Sequence, residues 1–134
     1  MSIVGIGIDV VDLARARRMM DRHGERALHR LLTSAERTYV MSAADPARHF
    51  AARLAAKEAV FKAMQSLPGA RAISWLDIEV VRGPEGAPVA ALSGRAEEVS
   101  RTAPGLVVHL SLTHSDATAG AVAIVEAPSS LRDQ

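Results

Sequence analysis

Four charged side chains, Arg53, Lys57, Glu58 and Lys62, stand in the middle of the segment FAARLAAKEAVFKAM, Phe50 to Met64. At about 100° per residue, the apolar side chains around them fall on every side of a helix rather than along one stripe. Such a helix is expected to be largely buried. Buried charges are costly unless they are paired with each other, with a metal or with a bound ion. Arg53 and Lys57 are like charges one turn apart, which costs a helix roughly 0.2–0.5 kcal/mol unless an anion lies between them. Glu58 and Lys62 have the same spacing, and a plain helical ion pair, with Arg53 and Lys57 reaching out to water, is one account of the four. A pair worth ~0.5 kcal/mol is a weak reason to place them all in a buried helix. Binding of a metal and an anion is the chemistry that would use them.

Asp9 extends that chemistry. It follows GIGI in a segment rich in isoleucine and valine and needs a partner. A hard divalent cation held between Asp9 and Glu58 would satisfy both carboxylates, and two carboxylates completed by water suit magnesium shared with substrate phosphates. A salt bridge from Asp9 to Lys57 or Lys62 is the alternative. His114 lies in SLTHSD at the end of a strand, where Thr113, Ser115 and the turn amides could bind anionic oxygens beside it; a merely exposed histidine is the plainer account. His23, His29, His49 and His109 show no metal-ligand spacing. GIG and GPEG lack the spacing of a dinucleotide fingerprint or a phosphate loop, so a bound nucleotide would be held by side chains and turns.

The elements that must position these groups follow from patterning. Ile3 to Val11 reads as a strand buried on both faces. Asp12 is placed to cap a helix from Leu13 to about Arg22, on which Arg15, Arg18 and Arg22 share a face bordered by Met19. Gly24 ends it. A helical piece around Arg26 to Leu32 follows, then another opened by Thr33 or Ser34 with Glu36 or Arg37. Pro46 suits the first turn of the long helix, which runs to about Ser66. Strands are expected over Trp75 to Val81 and Val89 to Leu92, joined by a turn from Gly83 to Pro88. Ser93 is placed to cap a helix from Gly94 to Thr102, and strands over Leu106 to Thr113 and Ala117 to Glu126 complete the fold. The tail PSSLRDQ is expected to fray. The pattern is a single α+β domain spanning 1–134, an antiparallel sheet packed on one dominant helix.

Composition bounds the function. The 134 residues suffice for one core and one site. The 49% hydrophobic and 23% charged content is that of a globular chain. A net charge of +1 and 3% aromatic content argue against a nucleic-acid binder, while leaving room for a local basic patch facing an acidic protein. The absence of cysteine excludes disulfides and thiolate chemistry. The start MSIVGIGIDV lacks a basic signal-peptide region, and no run reaches membrane-spanning length, so a cytoplasmic address is expected.

Three segments, GIGIDVVDLARARRM, FAARLAAKEAVFKAM and VHLSLTHSDATAGAVAIVE, together resemble the holo-acyl-carrier-protein synthases, the small 4′-phosphopantetheinyl transferases. The likeness runs from about Gly5 to Glu126. It implies transfer of phosphopantetheine from coenzyme A to a serine of apo-acyl carrier protein, releasing adenosine 3′,5′-bisphosphate. It further implies that Asp9 and Glu58 bind magnesium, and that Lys62, Arg53 and His114 neutralise phosphate charge. Catalysis would rest on Asp9, Glu58 and Lys62, with Glu58, directly or through a metal-bound water, helping to remove the serine proton. A Gly-x-Pro turn at Gly86 and Pro88 would lie along the nucleotide, and the carrier would dock on the face formed by Arg15, Arg18, Met19 and Arg22. The resemblance also implies a homotrimer with each site built across a subunit boundary. Where the family often has a Gly-Thr-Gly turn after the long helix, this chain has QSLPGARAIS, keeping Gly69 alone. Two rival functions share some of these residues: a magnesium-dependent phosphohydrolase of a small nucleotide, and a non-catalytic subunit that binds coenzyme A or a carrier.

Overall fold

The computed structural model describes residues 1–129. In chain order these form β1 (Ser2–Asp12), α1 (Leu13–His23), α2 (Glu25–Leu31), α3 (Ser34–Ser42), α4 (Pro46–Met64), β2 (Ile78–Arg82), β3 (Pro88–Leu92), α5 (Gly94–Ser100), β4 (Val107–His114) and β5 (Thr118–Ala127). The expected α+β architecture is present: an antiparallel sheet in the order β1-β5-β4, a separate β2-β3 hairpin, and α4 at the centre. The last five residues of the tail, 130–134, lie outside the described residues. Among the described residues no helix is long and apolar enough to cross a membrane.

The all-round apolar pattern of α4 predicts its place. Phe50, Ala51, Ala55, Ala56, Ala59, Val60, Ala63 and Met64 are all fully buried. Its small residues let the sheet come close, and β5 meets the helix with Ala119, Ala121, Ala123 and Val125 on its inner face. The two glycines of GIG serve the same packing. A Cβ at Gly5 would lie 1.7 Å from the carbonyl oxygen of Ala63, and one at Gly7 would lie 1.9 Å from that of Ala59. The motif is therefore a close-approach site between strand and helix backbones. Gly7→Ala is expected to force β1 off α4 at a cost of about 3 kcal/mol, read as a lower urea midpoint.

Three expectations need correction. β1 is not buried on both faces: it is an edge strand, with Ile6, Ile8 and Val10 exposed at 62%, 65% and 60%. Its apolar run has helix cover on one side only, because a single chain supplies a single layer of helix to this sheet. The segment Trp75–Asp77 is a 3₁₀ turn, and the strand begins at Ile78. Asp77 Oδ2 accepts from the amide of Ser74 at 2.9 Å, a local bond that holds the turn against strand geometry. Asp12 and Ser93 hold the N-cap positions of α1 and α5 without a side-chain cap bond. The capping box of α3 resolves to Thr33 and Glu36, with Thr33 N donating to Glu36 Oε1 at 2.9 Å and Glu36 N to Thr33 Oγ1 at 3.3 Å.

Candidate active site

Asp9 leaves β1 and Glu58 leaves α4, and both line one cleft of about 250 Å³ with Arg15 and Met19 of α1 and with Trp75. Elements distant in sequence meet here because β1 lies along α4. Lys62, one turn beyond Glu58, donates to the Ile8 carbonyl at 3.0 Å and sits 3.3 Å from Asp9 Oδ1. The lysine partner of Asp9 is thus Lys62, and the pair is partly open to solvent, with side chains 45% and 22% exposed. Such a pair is loosely held and leaves carboxylate lone pairs for another ligand. Two convergent carboxylates with no third protein donor fit a magnesium ion that takes its remaining ligands from water and phosphate; among the described residues no larger His, Asp and Glu cluster forms.

Arg53, His114, Gly86 and Pro88 come together in a second cleft, of about 400 Å³. Gly86 has φ +86°, a left-handed conformation that glycine adopts without strain, and it turns the chain so that Pro88 pairs with Arg82 across the hairpin. The Arg53 guanidinium lies 4.3 Å from the centre of the Tyr39 ring, while its Nε is buried without a hydrogen-bond partner among the described residues. Burial pushes the Arg53 pKa down, against the pull of Glu36 and Tyr39. His49, also in this cleft, is held below the usual histidine range by burial and then by the charges of Arg53 and Arg48. The surroundings favour anions. Ser115 does not add to them: its Oγ accepts from the amides of Ala117 and Thr118 at 3.3 and 3.2 Å, which closes the turn on itself.

Lys57 belongs to neither cleft as a free charge, which corrects the expectation that it shares an anion with Arg53. It is fully buried, 2.6 Å from Glu36 Oε1, and donates to the carbonyls of Trp75 and Ile78 at 2.8 and 2.6 Å. Burial lowers its pKa, and the charge of Glu36 opposes that shift. Glu36 in turn accepts from Val80 N at 2.9 Å. This pair ties α3, α4 and β2 together and fixes the backbone of Trp75, a wall of the carboxylate cleft. Sequence reading found Glu36 only as a capping residue, since nothing in local spacing links it to Lys57.

Arg15, Arg18 and Arg22 are exposed on α1, as expected, and Met19 is half-buried beside them. The structure adds Arg26 and Arg30 of α2, which line a groove of about 410 Å³ with Met19 and His23. Their four-residue spacing was visible in the sequence, but their place beside Met19 depends on the turn at Gly24. The carboxylate cleft and the cationic cleft share no lining residue.

Residues 5–118 match the family model described as the 4′-phosphopantetheinyl transferase superfamily. A holo-[acyl-carrier-protein] synthase of Koribacter versatilis is 41% identical over 125 residues, covering 92% of this chain and 98% of that protein. The acyl carrier protein synthase structure from Mycobacterium tuberculosis superposes with a TM-score of 0.70 at 40% identity, covering 95% of this chain and 100% of the other. The Bacillus anthracis holo-(acyl-carrier-protein) synthase, solved in complex with CoA (3′,5′-ADP), gives 0.75 at 34% identity, covering 94% and 98%.

Proposed function

The chain belongs to the 4′-phosphopantetheinyl transferase superfamily, and from that premise we propose how its own residues carry out the transfer. It is a holo-acyl-carrier-protein synthase type of enzyme, moving 4′-phosphopantetheine from coenzyme A to a serine of apo-acyl carrier protein. The meeting of Asp9 and Glu58 with Arg15 and Met19 in one cleft carries the proposal. The two carboxylates that would hold a metal then stand directly beside the basic, partly apolar helix face suited to an acidic carrier. A phosphohydrolase would have no use for that neighbour.

In the reaction the serine oxygen forms a bond to the pantetheine-bearing phosphorus, and the bond from that phosphorus to adenosine 3′,5′-bisphosphate breaks. Glu58 accepts the serine proton. Asp9 and Glu58 would hold magnesium, which supplies charge stabilisation on the pyrophosphate when bound. Lys62 is free to move from Asp9 to a phosphate oxygen, since its present contacts are solvent-exposed. Arg53 and His114 neutralise charge on the departing bisphosphate, with Gly86 and Pro88 along its nucleoside. Positioning and electrostatics supply most of the rate in transfers of this kind.

Because the two clefts share no residue, a complete site is best made by two copies, the cationic cleft of one facing the carboxylates of the next. The uncovered sheet face carrying Ile6, Ile8 and Val10 is a surface that such an assembly would bury, in keeping with a homotrimer. Light scattering that returns the mass of a single chain at working concentration would remove this assembly. A cytoplasmic location suits a chain without cysteine.

Intact-mass spectrometry tests the function: apo-carrier, coenzyme A and magnesium with this protein should give a gain of one phosphopantetheine, lost with chelator. Nucleotide cleavage without carrier would favour the phosphohydrolase. Binding of coenzyme A with no transfer to several carriers would favour the non-catalytic subunit. Arg15→Glu is expected to raise KM for the carrier roughly tenfold while KM for coenzyme A changes little, as loss of one charge-assisted contact implies. Equal effects on both constants would exclude docking at Arg15.

A further inference from the structure

The cationic cleft holds more positive charge than the sequence motifs identify, and it gathers that charge around one neutral ring. Tyr39, on α3, has the Arg53 guanidinium 4.3 Å above its ring centre and His49 edge-on at 5.4 Å, and its hydroxyl accepts from Arg82 Nη2 at 3.2 Å. Among the described residues no ion pair involves Arg53 or Arg82. The carboxylate that lines the cleft, Glu36, is taken by Lys57.

We infer that Tyr39 is a positioning residue, holding Arg53 by its ring and Arg82 by its hydroxyl so that both guanidiniums face the phosphate-bearing nucleoside end of coenzyme A. This inference rests on the assignment of the cleft to that end of coenzyme A under the proposed function. The chemistry explains the residue type. A carboxylate would fix either arginine more tightly but would cancel the charge that a phosphate needs. An aromatic face holds a guanidinium through its quadrupole and leaves the full charge available, and a phenol oxygen orients a second donor without adding a negative charge. Arg53 and Arg82 come from α4 and β2, so neither element alone could set their separation.

The test is calorimetric binding of adenosine 3′,5′-bisphosphate to the full chain, beside steady-state kinetics. Tyr39→Leu removes both supports and should weaken bisphosphate binding and raise KM for coenzyme A roughly tenfold, with KM for carrier within about twofold of wild type. Tyr39→Phe keeps the ring and should lose only about threefold, and Tyr39→Phe added to Arg82→Gln should cause no further loss. Equal binding by wild type and Tyr39→Leu, or additive losses from Tyr39→Phe and Arg82→Gln, would overturn the role of Tyr39 while leaving the proposed function standing. Should Tyr39→Leu fail to fold, the Tyr39→Phe and Arg82→Gln cycle decides alone. Failure of wild type to bind the bisphosphate at all would instead overturn the assignment of the cleft.

Discussion

Replacing Glu58 with glutamine is expected to stop transfer while leaving the protein folded. The carboxylate lines the cleft with Asp9 and is half-buried, and no hydrogen bond or ion pair to it exists among the described residues that the amide would break. Glutamine and glutamate have similar helix propensities, so the melting temperature should move little. The chemistry is another matter. The amide cannot take the serine proton, and it is a poor ligand for a hard cation beside Asp9. Loss of general-base function alone costs about 10²–10⁴ in rate, and loss of charge stabilisation adds to it. Intact-mass time courses at saturating coenzyme A and carrier would show it. Turnover within a few-fold of wild type would remove Glu58 from the mechanism.

The largest effect on stability is expected at Lys57. Lys57→Met leaves the Glu36 carboxylate inside the protein without its cation, and breaking a buried pair in this way costs about 3–5 kcal/mol. Glu36 keeps the amides of Thr33 and Val80 as donors, but these do not offset its charge. The same change also frees the carbonyls of Trp75 and Ile78. The double variant Glu36→Gln with Lys57→Met should recover part of the loss, because no unpaired charge then remains. Urea unfolding of the single and double variants reads this directly. A single variant as stable as wild type would mean that Lys57 is not a buried structural charge and would return it to the anion site.

The fold was legible where a local signal was unopposed. The long helix announced itself through apolar residues on every side and Pro46 at its first turn, and the Thr33 to Glu36 box opened α3 as its spacing predicts. Trp75 was misread because its aromatic ring and the apolar residues after it favour a strand, while the Ser74 to Asp77 bond bends the chain instead. The exposed face of β1 was misread for a different reason. An isoleucine–valine run specifies burial on two sides, and sequence does not say whether the second side is covered by the same chain or by another copy.

The sequence by itself determined the carboxylates, the cations and the family they resemble, since those depend on residue type and on short spacings within three segments. Only tertiary structure decided which charges work together. Arg53, Lys57, Glu58 and Lys62 look alike within a dozen residues of one helix, yet folding sends Lys57 inward to Glu36, Lys62 to Asp9, Arg53 onto Tyr39, and Glu58 into the cleft. The partners lie on β1 and α3, none of them on the helix itself. A charge takes its role from the dielectric and the counter-charge around it, and both are set by residues that the chain brings near only when it folds.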